Sequence, residues 1–510
     1  MSTDVKQPPQ TEGPVVEEYH SQDDPSNANG SEETKKSSLW RRFLGLTWDT
    51  FEGDPEKRRF VRKVDYFLFS YIMLGYFIKY LDQQNYSNAF VSGMQEDLSM
   101  YGNERNLLVT YFNIGIIIGT IPSQLIQLQY VRPSIWIPSC ELAWSILVMA
   151  MAGAKNPQTL YTLRFFVGLL ESCSFPGYAA LLGSWYGPTQ LAKRVALFEQ
   201  SSAIASMFSG YLQAALIRMN GHGGLKGWQW LFIFDAVISI PIAVWGYFAI
   251  PDHPSSTRAF WLKKADREFA VQRERGMGRA SGQKLTWRKL RGIYTGWRIW
   301  GFIFPYLMVA QAGQGSGFFN LWLKDQGYST AQINTIPTAG NAISVIASLF
   351  FRTIADKTGT RKESCAAVCV IVIVANIMLS IWDIPRPALL FAFFLSFIST
   401  AAQPLVIAWG QEVTQDNAEL RQMLVATGNI FTYTFMAWVP LVAFPTYDAP
   451  HYKYGYQLLI MFGGLAIVGV YLFGWLNEWD RKRKASRQAG VEDVPRRVLG
   501  EAGRESCPGP

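Results

Sequence analysis

Of 510 residues, 49% are hydrophobic and 15% aromatic, and only 17% are charged, whereas a soluble chain carries about 25% charged residues. The formal net charge of +8 arises from basic residues gathered in flanks and loops between apolar runs, the distribution of a membrane protein and not of a nucleic-acid binder. Those runs approach the roughly 20 residues that a helix needs to cross about 30 Å of hydrocarbon, which excludes an ordinary soluble domain and predicts an all-α polytopic membrane protein in a lipid bilayer.

Residues 1–63 are rich in Ser, Pro, Glu and Asp and then basic, and are expected to form a disordered cytosolic tail. Trp40, Phe43, Leu44 and Trp48, interleaved with Arg41 and Arg42, either lie on the membrane surface or simply lead into the first span; the sequence leaves both open. Twelve spans are predicted, at 64–87, 107–129, 134–153, 159–186, 195–217, 229–250, 297–323, 333–352, 364–382, 387–411, 423–446 and 454–476. Between the sixth and seventh, Pro251 to Gly296 holds eleven Lys/Arg against four Asp/Glu. Odd-numbered connections are nearly free of positive charge. Even-numbered ones carry Arg132, Lys193 and Arg194, the central block, Lys357, Arg361 and Lys362, and Arg421, and the tail carries Arg481 to Lys484. Both termini and the central loop are therefore expected in the cytosol. The organisation reads as a six-helix half at 64–251, a cytosolic loop at 252–296, a second six-helix half at 297–476 and a cytosolic tail at 477–510, a plan typical of transporters built from two repeated halves.

The first apolar run opens at Asp65 and ends on Tyr76–Asn88, which places Lys79, Asp82, Gln83, Gln84 and Asn85 where lipid tolerates none of them. An ionised side chain at the bilayer centre costs about 2.5–3.5 kcal/mol on the lenient insertion scale, so such groups face a protein interior or a watery cavity. Lys79 and Asp82 share one helix face. In the fourth span, Arg164 and Glu171 lie two turns apart along one face. Asp82 and Arg164 fall at similar depth, which allows a cross-helix pair, with Glu171 deeper. The four charges sum to zero. Protonating either carboxylate makes the cluster +1, complementary to a monoanionic carboxylate, so carrying an anion together with a proton leaves no large uncompensated charge. Glu141, Glu199 and Asp235 read instead as packing or snorkelling groups.

The second half shows no comparable buried charge. It offers Gln311, Gln314, Asn320, Asn341, Asn376, Gln403 and Asn429, with Phe318, Trp322 and Trp409. Gln311-Ala-Gly-Gln-Gly-Ser-Gly317 predicts a bend in the seventh span. Gln314 and Asn429 are candidates to hydrogen-bond the polar body of a substrate, and amides bridging helices are the equal alternative. Cys140, Cys173, Cys365 and Cys369 sit inside apolar segments, and neither they nor the four histidines show metal or disulfide spacing. No metal, cofactor or nucleic-acid partner is expected. Without a His-x-x-x-His, a Ser–His pairing or a Gly-rich phosphate loop, enzymatic activity is not expected either.

Several local patterns resemble the major facilitator superfamily: Ala355-Asp-Lys-Thr-Gly-Thr-Arg-Lys362 after the eighth span, and Arg164-Phe-Phe-Val-Gly168 in the fourth. The expected copy of the loop motif between spans two and three is degraded to Gln129-Tyr-Val-Arg-Pro133. Tyr80-Leu-Asp-Gln-Gln-Asn85, Arg164 with Glu171, Ser184-Trp-Tyr186 and Gly227-Trp-Gln-Trp-Leu-Phe-Ile-Phe-Asp235 narrow the resemblance to the anion:cation symporters of the fungal allantoate-permease group. Val91 to Asp97, Tyr111 to Gly115 and Ser209 to Ala214 bring it nearest to yeast pantothenate:proton symporters. The resemblance implies proton-coupled uptake of a small carboxylate across the plasma membrane, pantothenate first, with biotin, nicotinate, allantoate or a dipeptide as alternatives and a non-transporting nutrient sensor as another. It implies that Asp82 and Glu171 carry the proton and that Arg164 links them to substrate. Many members have Arg directly after the Asp, where this chain has Gln83; Lys79, one turn earlier, returns the positive charge to the same face.

Overall fold

The computed structural model describes residues 55–276, 287–414 and 418–502. The chain divides into two compact units, Met1–Arg58 and Arg59–Pro510. The first lies almost wholly outside the described residues, as does the aromatic and basic segment around Trp40 to Trp48.

The second unit is helical throughout its described length. Its helices, after the basic α1 (Pro55–Val64), are α2 (Ser70–Ala89), α3 (Glu104–Leu125), α4 (Pro133–Met151), α5 (Pro157–Glu171), α6 (Ser174–Trp185), α7 (Pro188–Leu216) and α8 (Gly227–Ala249). Two helices, α9 (Lys264–Gly276) and α10 (Trp287–Thr295), occupy the central basic stretch. There follow α11 (Trp297–Ala312), α12 (Phe319–Asp325), α13 (Thr330–Thr358), α14 (Arg361–Ile381), α15 (Arg386–Ser396), α16 (Ala402–Val413), α17 (Ala418–Ala443) and α18 (Gly455–Ala502).

Local chemistry sets the ends. Pro occupies the first helical position of α4, α5 and α7, where its missing N–H is no loss. Asn156 caps α5 by accepting from Thr159 N at 2.9 Å. Ser329 and Gln332 form a capping box at the start of α13, and Gly359 ends that helix in the left-handed region at φ +67°.

The fourth predicted span is two helices, not one. The break at Ser172–Cys173 follows from Pro176, which has no N–H to offer the Ser172 carbonyl. Ser174 Oγ instead donates to Glu171 O at 2.7 Å and satisfies the end of α5. In the seventh span a 3-10 turn over Gly313–Phe318 interrupts the helix at the glycines the sequence singled out. Among the described residues, nine helices, counting runs rejoined across such breaks, are long and apolar enough to cross a membrane. α2, α7 and the broken run at 297–325 are of comparable length but carry more polar residues. The protein is thus a multi-pass membrane protein.

Helices α2 to α8 pack among themselves, with α3 on α5, α4 on α8 and α2 on α7 and α8. Helices α11 to α18 form a second set around α18, which packs on α11 and α14. Two seams join the sets, α7 with α13 and α3 with α17. Hydrogen bonds between the sets cluster at one end. There Asn106 Nδ2 donates to Phe444 O at 2.7 Å, Thr110 Oγ1 to Ala437 O at 2.6 Å, Arg105 to Gly317 O at 3.1 Å and Asn334 Nδ2 to Ser92 Oγ at 3.0 Å. Lys324 Nζ reaches Glu96 at 2.7 Å, and Phe318 stacks on Phe444 with ring centroids 4.3 Å apart.

The opposite end holds separate clusters within each set. Asp356 and Glu412 both pair with Arg361, at 3.2 and 2.7 Å, tying α13, α14 and α16 together through the Ala355–Lys362 motif. In the first set, Arg194 grips Asp65 through two nitrogens at 2.7 and 2.6 Å, and Tyr186 donates to the same carboxylate at 2.7 Å. This cluster supplies the tie for which the degraded Gln129–Pro133 stretch lacks the residues.

Candidate functional site

The polar stretch of α2 faces inward. Lys79 is 3% exposed, Asp82 2% and Asn85 fully buried, and Arg164 (2%) and Glu171 (fully buried) are inaccessible on α5. Four charges inside a membrane-spanning bundle persist only where other protein groups replace water around them.

Arg164 shows how this is done. Its guanidinium lies 4.7 Å from the ring centroid of Tyr86 on α2 and 4.4 Å from that of Phe112 on α3. Each such desolvated contact is worth about 2 kcal/mol. Gly168, one turn on, permits it: a Cβ there would stand 3.2 Å from Phe112 Cα, so only glycine lets α5 approach α3 closely enough to bring that ring under the arginine. The Arg-x-x-x-Gly spacing is therefore a packing device serving a charge. The direct Asp82–Arg164 pair that shared depth allowed is not formed among the described residues: the rings hold the guanidinium, Nε has no partner, and the carboxylates act on Arg164 only at longer range. Clamped by its faces, the guanidinium keeps an edge for a bidentate oxyanion.

Glu171 accepts from Gln83 Nε2 at 2.9 Å through Oε1, and its Oε2 is buried without a partner. Gln83 thus spends its amide on the candidate proton carrier. Lys79 lies within electrostatic range of Glu171 but makes no ion pair among the described residues. Both oxygens of Asp82 are buried and receive no hydrogen bond from a nitrogen or hydroxyl donor.

Asp235, which the sequence reading assigned to packing, is fully buried and stands within hydrogen-bond reach of Asp82. It accepts from Asn85 Nδ2 at 2.5 Å and from Ser239 Oγ at 3.2 Å. Glu141 is likewise buried and accepts from Tyr71 on α2. Glu199 is half-buried and lies within electrostatic range of Tyr76 on α2 and Tyr306 on α11.

The second set contributes hydroxyls and amides. Tyr306 donates to Asn429 Oδ1 at 2.6 Å and accepts from Gln403 Nε2 at 2.9 Å, so Asn429 does bridge helices, with its Nδ2 left unpartnered among the described residues. Gln314 Nε2 donates at 3.3 Å to Ala310 O, on the turn before the 3-10 break. Tyr433 on α17 lies within electrostatic range of Glu171 and Tyr80. The four tyrosines Tyr76, Tyr80, Tyr306 and Tyr433 were missed because an aromatic in an apolar run carries no signal of its own; Tyr76 and Tyr80, one turn apart beside Lys79, were the available hint. No group of three or more His, Cys, Asp or Glu side chains suited to a metal ion occurs among the described residues.

The arrangement places ionisable groups on one helix set opposite neutral hydrogen-bonding groups on the other. The Major Facilitator Superfamily model matches residues 72–428, which span all of these side chains except Tyr71, Asn429 and Tyr433. The chain belongs to the Major Facilitator Superfamily. Its relatives include the MFS transporter PfmaC of Pestalotiopsis fici, 37% identical over 80% of this chain and 77% of the relative. The pantothenate transporter liz1 of Schizosaccharomyces pombe is 32% identical over 87% of each chain. The pantothenate transporter FEN2 of Saccharomyces cerevisiae is 31% identical over 86% of this chain and 88% of its own. Among solved structures, an inward-facing, unoccupied bacterial homologue of the human lysosomal transporter Spinster aligns with TM-score 0.59 at 11% identity, over 84% of this chain and 98% of its own, a likeness of fold. The superfamily fold accounts for the two helix sets and their paired seams.

Proposed function

We propose that the protein is a secondary transporter, not an enzyme, that takes up a small carboxylate together with a proton, and that the carboxylate is pantothenate. The observation that carries this reading is the buried set Lys79, Asp82, Arg164 and Glu171, formally neutral and set in a chain about one-third identical to two pantothenate transporters. A neutral set that gains one proton becomes a site for one anion, and losing both together restores neutrality.

In this reading Asp82 and Glu171 carry the proton. The open edge of Arg164 and the unpaired Lys79 receive the substrate carboxylate, with Gln83 holding Glu171. Gln314, Asn429 and the neighbouring tyrosines match the amide and hydroxyl groups of a pantothenate-like body. Biotin, nicotinate, allantoate or a dipeptide would meet the same charges and differ at the second set, and no partner other than substrate, protons and lipid is required.

The wider architecture in this reading is twelve spans, with α2, α7 and the broken run at 297–325 added to the nine apolar ones. Halves at 64–251 and 297–476 flank a cytosolic loop at 252–296, and both termini are cytosolic. The end where the two sets are hydrogen-bonded is then the outer one, closed, in the plasma membrane. Uptake of labelled pantothenate, biotin and nicotinate by cells lacking their own carriers, at acidic and at mildly alkaline pH, tests the reading. Surface-localised protein that moves none of them at either pH refutes the substrate class; uptake indifferent to pH refutes the coupling.

A further inference from the structure

Two carboxyl groups face each other in the core of the first helix set, and they are not equivalent. Asp235 Oδ2 receives a hydrogen bond from Asn85, and Ser239 Oγ, which donates to the Asp235 carbonyl at 2.7 Å, also lies 3.2 Å from Oδ1. Asp82, within hydrogen-bond reach of Asp235, receives none from any nitrogen or hydroxyl. Two buried carboxylates cannot both stay ionised at contact, and the one without donors is the one that must carry a proton.

A chain of side chains behind Asp235 agrees with that assignment. Asn320 Nδ2 donates to Asn88 Oδ1 at 3.1 Å, Asn88 Nδ2 to Ser209 Oγ at 2.7 Å, Ser209 Oγ to Asn85 Oδ1 at 2.5 Å, and Asn85 Nδ2 to Asp235. Every donor points toward Asp235, so the dipoles add and the chain terminates on an acceptor, as it should on an anion. Its first member, Asn320, belongs to α12 in the second helix set, while Asn88, Ser209 and Asn85 belong to the first.

We propose that Asp235 is the second member of the proton site: Asp82 and Asp235 share one proton, carried on Asp82 and donated to Asp235, and the chain to Asn320 conveys the state of the pair to the closed end. This rests on the proton-coupled reading above and deepens it. Loss of the shared proton to water leaves two carboxylates face to face, a state that requires solvent to enter and hence the helices to move. Repulsion between the two carboxylates then displaces Asp235 from Asn85, and the Asn88–Asn320 contact between the sets weakens with it. Asp235 is a positioning residue in this scheme, with no contact to substrate. The groups facing it are few. On α2 it meets Asp82. On α4 the one carboxyl is Glu141, which is engaged by Tyr71. On α7 it meets the neutral Ser209, linked to Asn85 of α2; of the turns packed against α8, Phe90–Met94 has no titratable side chain and Ile217–Met219 carries the exposed Arg218. Glu171 and Arg164 on α5 act on the pair from farther away.

The test is an infrared pH titration of the full chain purified in lipid discs, alongside the uptake assay. Wild type should show a protonated-carboxyl band that Asp82→Asn removes. Asp235→Asn takes away the like charge and the acceptor, so loss of the band should move to lower pH by on the order of one unit or more. Asn85→Ala strips a donor from Asp235 and should move it the opposite way. The pH profile of uptake should follow the same signs, with Asp235→Glu restoring the wild-type profile. Unshifted titrations in both Asp235→Asn and Asn85→Ala overturn the proposal, as does a lower maximal rate with an unchanged pH profile. If wild type moves no carboxylate, the transport reading fails while the infrared titration still decides whether the proton is shared.

Discussion

The two helix sets bury their polar groups by opposite means. The first carries Lys79, Asp82, Arg164, Glu171 and Asp235 in its interior, and all but Lys79 are answered by a ring face, an amide or another carboxyl. The second buries no comparable charge near its centre and relies on the Tyr306, Gln403 and Asn429 network and on Tyr433. Charge inside a bundle is expensive but responds to protons and ions, whereas amides and hydroxyls are cheap to bury and respond to shape and hydrogen-bonding pattern. Under the proposed function, energy coupling falls to the first set and discrimination among carboxylates to the second.

That division can be broken by substitution, beginning where the effect should be greatest. Asp82→Asn and Glu171→Gln should each reduce pH-driven accumulation of labelled substrate to the background of cells without the protein. Full accumulation in both would detach the proton from the first set. Arg164→Lys keeps the charge and loses the planar edge and the ring contacts, so substrate affinity should fall by about tenfold, or about 1.4 kcal/mol, in a concentration series. Wild-type affinity in that variant would show that Arg164 acts only as a structural cation. Lys79→Gln removes an interior cation that has no ion pair among the described residues, and anion affinity should weaken about fivefold. An unaltered affinity would refute its compensation for Gln83. Asn429→Ala should change affinity by only about two- to threefold, and unequally for pantothenate and biotin. An equal change for both substrates, or a shifted pH profile, would blur the line between the two sets.

The sequence exposed the charges readily because Lys79, Asp82, Arg164 and Glu171 interrupt apolar runs, and burial of an ion is costly enough to demand a reason. It exposed the bend in the seventh span through its glycines. It did not expose the break after Glu171, which depends on Pro176 acting on a carbonyl four residues earlier and on Ser174 repairing the loss. Nor did it show the role of Gly168, whose meaning appears only when α3 lies against it. The surroundings of Asp235 were hidden for the same reason. A single carboxylate in the outer half of a span looks like packing until the helix carrying Asp82 and Asn85 is placed beside it.

The linear chain by itself determined the class of molecule, the rough bounds of its most apolar segments, and the identity of the buried ions, because hydrophobic length and the price of desolvating a charge are local properties of a helix in lipid. Only the tertiary structure decided the partners: Arg164 with two rings in place of Asp82, Asp82 with Asp235, and Asn320 with Asn88 across the two sets. Pairings between distant helices follow from packing geometry, and no periodicity along one helix records which face of another it will meet.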